Sequence, residues 1–352
     1  MKILLVGGGS GGPVSPLLAV AEKIKTQQPD AEFLFVGGHE GPERGMAEAA
    51  GLKFAAISAG RLRRYFSLKN FIDPFLAVAG MFQAKKIIQQ FKPNVVFGAG
   101  SFVQVPVMWA AYWAKVLIII HQQDVLPSLA NKLCLPIAAK ITVTFEASLK
   151  DFPAAKTTHT GNPFRQELAA ANKDEAKQFF RLTDELPVLL VTTGGTGAAA
   201  LNDMVIKSLP YLTKIVQVIH QTGAGKGAAL GHFENYHAYE FIPNMGQAYA
   251  VADLVLCRAG VSTITELSNL GKMAIIVPIP GSHQEYNSRL LEDRAAAFVI
   301  DQKDLDYQTL PHLIRKLLFK YQTQQGVIRQ MQNIMPHDSA QKIAEIIIKL
   351  CP

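Results

Sequence analysis

The sequence predicts an α/β protein built from two tandem doubly wound parallel-sheet domains with a cleft between them. Three observations carry this expectation. Short apolar runs alternate with helical patterns along the whole chain. The runs are continuous rather than alternating in polarity, as strands buried on both faces require. A glycine turn followed by the same alternation occurs twice, at VGGGSGG and again at VTTGGTG. At 352 residues the chain is also longer than one core ordinarily serves. Its 49% apolar and 18% charged residues supply buried surface and exclude disorder.

Taken in order, KILLVG is the first strand, and the helical pattern LLAVAEKI follows the glycine loop. Pro13 falls where that helix is expected to begin, in a first turn that tolerates a missing N–H. AEFLFVG is the second strand, residues 61–92 read as a loop and a core helix, and NVVFGAG is the next strand. Lys115 interrupts VPVMWAAYWAKVLIII, which therefore reads as helix, turn and buried strand. No segment reaches the roughly 20 clean apolar residues of a membrane span. VLIIIH and KITVTF close the first series, and HTGNPFRQEL near residue 162 is the hinge between domains at 1–162 and 163–335. PVLLVTTGG, IVQVIHQTG, AYEFIPN, ADLVLCRAG and MAIIVPIP are the strands of the second domain. Residues 336–352 hold the amphipathic SAQKIAEIIIKL, whose apolar face either domain can cover, the N-terminal one included.

Charge is unevenly placed. Residues 1–162 hold 17 Lys/Arg and 10 Asp/Glu, whereas 163–352 hold 18 of each, so the first domain is expected to meet an anionic partner. Residues 61–92 concentrate this charge in Arg61, Arg63, Arg64 and Lys69, with Phe71 and Phe75 interleaved. The bland reading is a solvated basic edge; the functional one is an interfacial patch for anionic lipid. No recognition helix or stacking platform accompanies the charge, so no nucleic acid is expected. Cys134, Cys257 and Cys351 form no paired motif and read as free thiols in a reducing compartment. No secretory signal is expected at the N-terminus.

The first glycine loop is ambiguous by itself. Gly7-x-Gly9-x-x-Gly12 meets the dinucleotide pattern, but the second strand runs into Gly37-Gly38-His39 where an acidic residue should follow. No Gly-Lys-Ser/Thr completes a Walker loop, and a hydrolase elbow at Ser10 lacks evident Asp and His partners. A turn for tight strand–helix packing explains part of the pattern under any function. The second half is more informative. Gly260 followed by Val261, Ser262 and Thr263 offers hydroxyls and free amides to a diphosphate. Glu266, one turn further, can accept from both hydroxyls of a ribose.

AGVSTITE followed by SHQEYN resembles the nucleotide-sugar half of the MurG family, glycosyltransferases of the GT-B type with two Rossmann-like domains. The resemblance runs along nearly the full chain, through GGGSGGPVSPLLAVAEKI, NVVFGAGSFVQVP, HQQDVLPSLANK, GNPFR, TTGGTGAAALN and EFIPNM. It implies inverting transfer of N-acetylglucosamine from UDP-GlcNAc to the lipid-linked acceptor lipid I, giving lipid II for peptidoglycan. It also implies a peripheral enzyme on the cytoplasmic face of the bacterial membrane, with no metal or other cofactor. By motif position, Ser10, Gly11 and Gly12 would lie near the acceptor and reacting sugar, and Arg165 and Thr196 would face the diphosphate. Ile242 would hold uracil through its backbone, with Met245 nearby. Val261, Ser262, Thr263, Ile264, Thr265 and Glu266 would carry diphosphate and ribose, and Gln284 would contact the sugar hydroxyls.

Two motifs depart from the family. Its first loop reads GGTGGH, with the histidine replaced here by Pro13, and its HEQN motif reads His121-Gln122-Gln123-Asp124. The new carboxylate makes Asp124 a candidate general base for the acceptor hydroxyl, or else a plain hydroxyl acceptor in place of asparagine. His121 reads as a structural hydrogen-bonder. A transferase using another lipid acceptor, and a nucleotide-sugar-binding protein without catalysis, remain open beside the lipid I reaction. UDP-hexosamine epimerases share the two-domain form but fit GNPFR and HQQD less well. Asp304-Leu305-Asp306 lies in a polar turn before a late helix, where it reads as N-capping rather than a metal site.

Overall fold

The computed structural model describes residues 1–60, 69–193, 198–225, 233–319 and 321–351; within these, the side chains of 69–72, 74 and 321–323 are outside the description. The chain divides into two compact units, Met1–Phe164 with Met335–Pro352, and Arg165–Ile334.

The first unit alternates β1 (Lys2–Val6), α1 (Ser15–Gln27), β2 (Glu32–Gly37), α2 (Glu43–Ala49), β3 (Lys53–Ala56) and α3 (Lys69–Phe91). It continues with β4 (Val95–Gly98), α4 (Gln104–Trp113), β5 (Leu117–Gln122), α5 (Leu129–Cys134), β6 (Lys140–Val143) and β7 (Thr157–His159). These strands form one parallel sheet in the order β3-β2-β1-β4-β5-β6-β7. The continuous apolar runs are explained by what covers them. Ile3 and Leu5 of β1 pack with Leu17, Val20 and Ile24 of α1, while the intervening Leu4 and Val6 pack with Val107 and Met108 of α4 and Ile88 of α3. Alternate side chains thus enter opposite helical layers, and both must be apolar.

The second unit holds α6 (Lys173–Phe180), β8 (Val188–Thr192), α7 (Ala199–Leu212), β9 (Gln217–Gln221), β10 (Tyr236–Tyr239), α8 (Met245–Val251) and β11 (Leu254–Cys257). After these come α9 (Val261–Leu270), β12 (Ala274–Ile276), α10 (Gln284–Asp293), β13 (Phe298–Val299), α11 (Thr309–Leu318) and α12 (Tyr321–Gln332). Its parallel sheet runs β10-β9-β8-β11-β12-β13. Leu189, Val191, Leu254 and Leu256 pack there with Leu201, Val205 and Leu209 of α7 and Leu310 and Ile314 of α11.

The chain then returns to the first unit as α13 (Ser339–Leu350), where Ile343, Ala344 and Ile347 pack with Leu17, Val20 and Ile24 of α1. Each buried isoleucine contributes roughly 1.5–3 kcal/mol of hydrophobic stabilisation.

Sequence pattern and structure differ at the sheet edges. β7 carries no apolar run, β3 and β13 are short strands whose apolar residues stay partly exposed, and β10 begins at Tyr236, earlier than AYEFIPN suggests. All four are edge strands with partly exposed side chains, so burial imposes no apolar run on them. A second difference concerns Pro13. Helix α1 begins at Ser15, and the proline in its first turn is Pro16. Pro13 sits in the preceding turn, which is closed by the Val14 and Ser15 N–H groups donating to Gly11 O at 3.2 and 3.0 Å.

Strand order reverses between β1 and β4 in one sheet and between β8 and β11 in the other. Doubly wound folds bind ligands beside the carboxyl ends of strands at such reversals. The loops after β1 and β11 are therefore the places to look. Among the described residues no helix is long and apolar enough to cross a membrane.

Candidate active site

After β1 the chain turns sharply because glycine leaves room. A Cβ on Gly7 would sit 2.8 Å from Leu17 Cδ1, and one on Gly9, where φ is +83°, would sit 2.7 Å from the Phe102 ring. Beneath this loop lies Glu43, the first residue of α2, which is completely buried. Its carboxylate accepts the Gly9 N–H, 3.2 Å from each oxygen, and the Gly38 N–H at 3.0 Å. The Gly9 amide of this loop is thus occupied by the chain's own carboxylate. Ser10 is exposed, while Gly11 and Gly12 are half-buried. Gly12 O accepts from Gln123 Nε2 at 3.0 Å, which fastens the HQQD segment to the loop and brings Asp124 to the same end of the sheet.

The HQQD segment divides into inward and outward residues. His121 is fully buried, with Nδ1 2.8 Å from Thr142 Oγ1, and its Nε2–H donates to Asn162 Oδ1 at 3.0 Å. Burial lowers its pKa to about 4 against the partial opposition of the Asn162 bond, so the ring is neutral near pH 7. Gln122 is buried as well. Its Nε2 donates to Asp124 O and Leu126 O, both at 2.8 Å, while Oε1 accepts from Ser128 N and Asn131 Nδ2. A glutamate could not make those two donations. Asn131 also donates to His121 O, and its own Oδ1 accepts from Gln104 Nε2, whose Oε1 accepts the Gly100 N–H. A fully satisfied buried amide network therefore fixes the loop that carries the half-buried Asp124. Glu43, Gln104 and Asn131 were not singled out from sequence, where each looks like an ordinary polar helix residue.

In the second unit α9 begins directly after Gly260, which has no side chain to cap the helix, and a Cβ there would meet nothing within 4 Å. The first-turn N–H groups of a helix need outside acceptors. Ser262 and Thr263 are half-buried beside them. The run 261–266 is not uniformly a ligand surface, however. Val261, Ile264 and Thr265 are buried, and Thr265 Oγ1 donates back to Val261 O at 2.8 Å. The side chains of these three residues serve the fold, leaving only backbone for a ligand.

Glu266 is half-buried, and its Oε2 accepts from Tyr249 OH at 2.7 Å. Burial pushes its pKa up, with the Tyr249 bond and the positive charge of Arg165 opposing. Arg165 Nη1 donates to Glu167 at 2.8 Å, while its buried Nε has no hydrogen-bond partner among the described residues. Such an orphan donor is costly unless an acceptor arrives. Ile242 is buried, and its N–H donates to Gln221 Oε1 at 3.2 Å, so this amide is not vacant for uracil. Met245 opens α8, capped by Asn244.

Gln284 opens α10, its Oε1 accepting the Ile279 N–H at 3.2 Å. From the same helix, buried Asn287 donates to Ala259 O at 3.1 Å and ties α10 to the turn before α9. Arg258, absent from the sequence-derived site, braces that turn by donating to Val277 O, Pro278 O and Gln302 Oε1.

Thr196, Arg61, Arg63 and Arg64 lie outside the described residues, as do the side chains of Lys69 and Phe71 in α3. Further along α3, Phe75, Val78 and Phe82 are exposed, by 76% for Phe75, and α3 packs on α4, whose Tyr112 and Trp113 are also exposed. Asp306 Oδ2 accepts the Gln308 and Thr309 N–H groups at the start of α11. Among the described residues no group of three His, Cys, Asp or Glu is arranged to hold a metal ion.

Both halves of the chain match models of one family. The profile described as Glycosyltransferase family 28 N-terminal domain matches residues 3–143, and the Glycosyltransferase family 28 C-terminal domain matches 188–345. A protein of Lachnoclostridium phytofermentans is 38% identical over 352 residues, covering 98% of each chain. Its name is UDP-N-acetylglucosamine--N-acetylmuramyl-(pentapeptide) pyrophosphoryl-undecaprenol N-acetylglucosamine transferase. The crystal structure of Acinetobacter baumannii MurG superposes with a TM-score of 0.73 at 23% identity, covering 99% of both chains. A structure described as a putative UDP-N-acetylglucosamine 2-epimerase from Listeria monocytogenes reaches 0.75 at 11% identity, covering 98% of this chain and 95% of the other. The fold alone therefore does not decide between transfer and epimerisation.

Proposed function

The chain belongs to glycosyltransferase family 28 and, within it, to the MurG family, and from that premise we propose that it transfers N-acetylglucosamine from UDP-GlcNAc to lipid I, forming lipid II for peptidoglycan. The observation that carries the donor half is the uncapped start of α9 with Glu266 one turn inside it. The donor diphosphate lies at the first-turn amides and the Ser262 and Thr263 hydroxyls, where the helix dipole favours negative charge. Arg165 Nε–H gains its missing acceptor there. Glu266, oriented by Tyr249, accepts from the ribose hydroxyls, and Gln284 Nε2 donates to the sugar.

On the acceptor side, Ser10, Gly11 and Gly12 present the lipid-linked substrate. Its hydroxyl oxygen attacks C1 of the sugar, the bond from C1 to the diphosphate oxygen breaks with inversion, and UDP leaves. The charge growing on that diphosphate is met by protein donors, so the reaction needs no metal. The hydroxyl proton passes to Asp124, which fills the general-base role that Pro13 and Gln122 cannot. The exposed aromatic face of α3 and α4 rests on the anionic cytoplasmic surface of the membrane, with Phe75, Phe82 and Trp113 at the headgroup boundary.

The test is UDP release by the full chain given UDP-GlcNAc, with and without a soluble lipid I analogue and with a diacylglycerol acceptor. Release dependent on the lipid I analogue is expected. Donor binding without such release, or release driven by the diacylglycerol instead, overturns the acceptor assignment.

A further inference from the structure

Glycines from two segments, the loop after β1 and the connection between β2 and α2, close around one side chain. A Cβ on Gly8 would overlap Glu43 Oε1, and one on Gly41 would overlap Oε2. A Cβ on Gly37 would lie 2.7 Å from Glu43 Cγ, and one on Gly38 would lie 3.3 Å from Oε1. Gly9 completes the group by donating its N–H to both oxygens. Gly8 and Gly9 come from the loop after β1, Gly37 and Gly38 from the end of β2, and Gly41 from the approach to α2. No lysine, arginine or histidine is paired with this carboxylate among the described salt bridges; backbone N–H groups hold it. Of the dinucleotide-like Gly7-x-Gly9-x-x-Gly12 spacing, Gly9 serves this cage for an internal carboxylate, while Gly7 makes room for Leu17.

We propose that Glu43 is a positioning residue for the acceptor half of the reaction. Its carboxylate fills the first glycine loop in place of an external phosphate and sets the path of Gly9–Gly12. Charge-assisted hydrogen bonds to backbone amides are about twice as strong as neutral ones, so one side chain suffices to fix a segment with little packing of its own. From Gly12 the constraint passes through the Gln123 bond to the stretch bearing Asp124. While Glu43 holds the Gly9 and Gly38 amides, no phosphate can take them. The loop then recognises its substrate through the exposed Ser10 and the backbone of Gly11 and Gly12. The link to acceptor handling rests on the proposed transfer reaction; the cage itself does not.

Two measurements on the full chain separate those claims. The first is a double-mutant cycle in denaturant with Gly8→Ala, Glu43→Ala and both together. Gly8 has ordinary φ, so its alanine is opposed by the Glu43 carboxylate rather than by backbone strain. Gly8→Ala is expected to lower the folded-to-unfolded ratio at least tenfold in the native background and much less beside Glu43→Ala, the coupling that contacting residues show. Additive costs overturn the cage. The second compares Glu43→Gln and Glu43→Asp with the unaltered protein in UDP release. The expected result is a rise of about tenfold or more in acceptor KM or a matching fall in kcat, with donor KM changed less than twofold. An equal loss on the donor side, or unchanged acceptor kinetics, overturns the positioning role. If the unaltered protein shows no acceptor-dependent release, the transfer reading fails, and the cycle still decides the cage.

Discussion

Two glycine turns, one after β1 and one after β11, each stand beside a reversal of strand order, and they are finished differently. The turn after β1 is filled from within, its Gly9 amide bonded to Glu43. The turn after β11 is open, with nothing within 4 Å of the position a Gly260 Cβ would take, and the neighbouring carboxylate of Glu266 is bonded to Tyr249 rather than to loop amides. The same sequence device is therefore closed by a carboxylate of the chain in one unit and left open in the other. What separates them is a side chain contributed from elsewhere in the chain.

The sharpest way to break this contrast is at the filled side, where chemistry is assigned to Asp124. Replacing Asp124 by asparagine should lower kcat about 10²–10⁴-fold, the usual contribution of a general base, with donor KM unchanged in a UDP-release assay. Full turnover would leave Asp124 as a hydroxyl acceptor only. At the open side, Glu266→Ala should lower kcat/KM for the donor about 100-fold through the loss of charged hydrogen bonds, with acceptor KM unaffected. Because burial raises the Glu266 pKa, its protonated form persists to higher pH than that of an exposed carboxylate. Donor affinity should therefore fall as pH falls through that raised value, and Glu266→Gln should remove the dependence. A donor KM that stays flat with pH in the unaltered protein would count against Glu266 as the ribose acceptor. The smallest effect probes the support beneath Asp124. Gln122→Glu restores the family residue but forfeits two donations to backbone carbonyls, and should destabilise the first unit by about 1–3 kcal/mol while leaving UDP binding intact. An unshifted melting curve would mean the loop tolerates a carboxylate.

The central strands were legible because burial on both faces leaves a continuous apolar run, as in KILLV and LIII. The edge strand TTH carries no such signal, since solvent accepts its side chains. The proposed donor residues Gly260, Ser262 and Glu266 stand out in sequence because they fall together at the start of a single helix. Glu43 and Tyr249 do not. Nothing within GPERGMAEAA sets its first glutamate apart, and only the meeting of the loop before it with the distant loop after β1 shows that it is buried. Pro13 shows the same limit in reverse: local rules fit a proline in the first helical turn, and the chain places Pro16 there instead.

The return of α13 to α1 carries a consequence for biosynthesis. Residues 339–350 leave the ribosome after the whole of the second unit, yet Ile343 and Ile347 belong to the core of the first. The first unit cannot finish folding in the order in which it is made, while the second, contiguous from Arg165 to Ile334, can. Until α13 docks, the apolar stripe of α1 stays open to chaperones and proteases. Quality control on a nascent chain of this design would fall on the half made first.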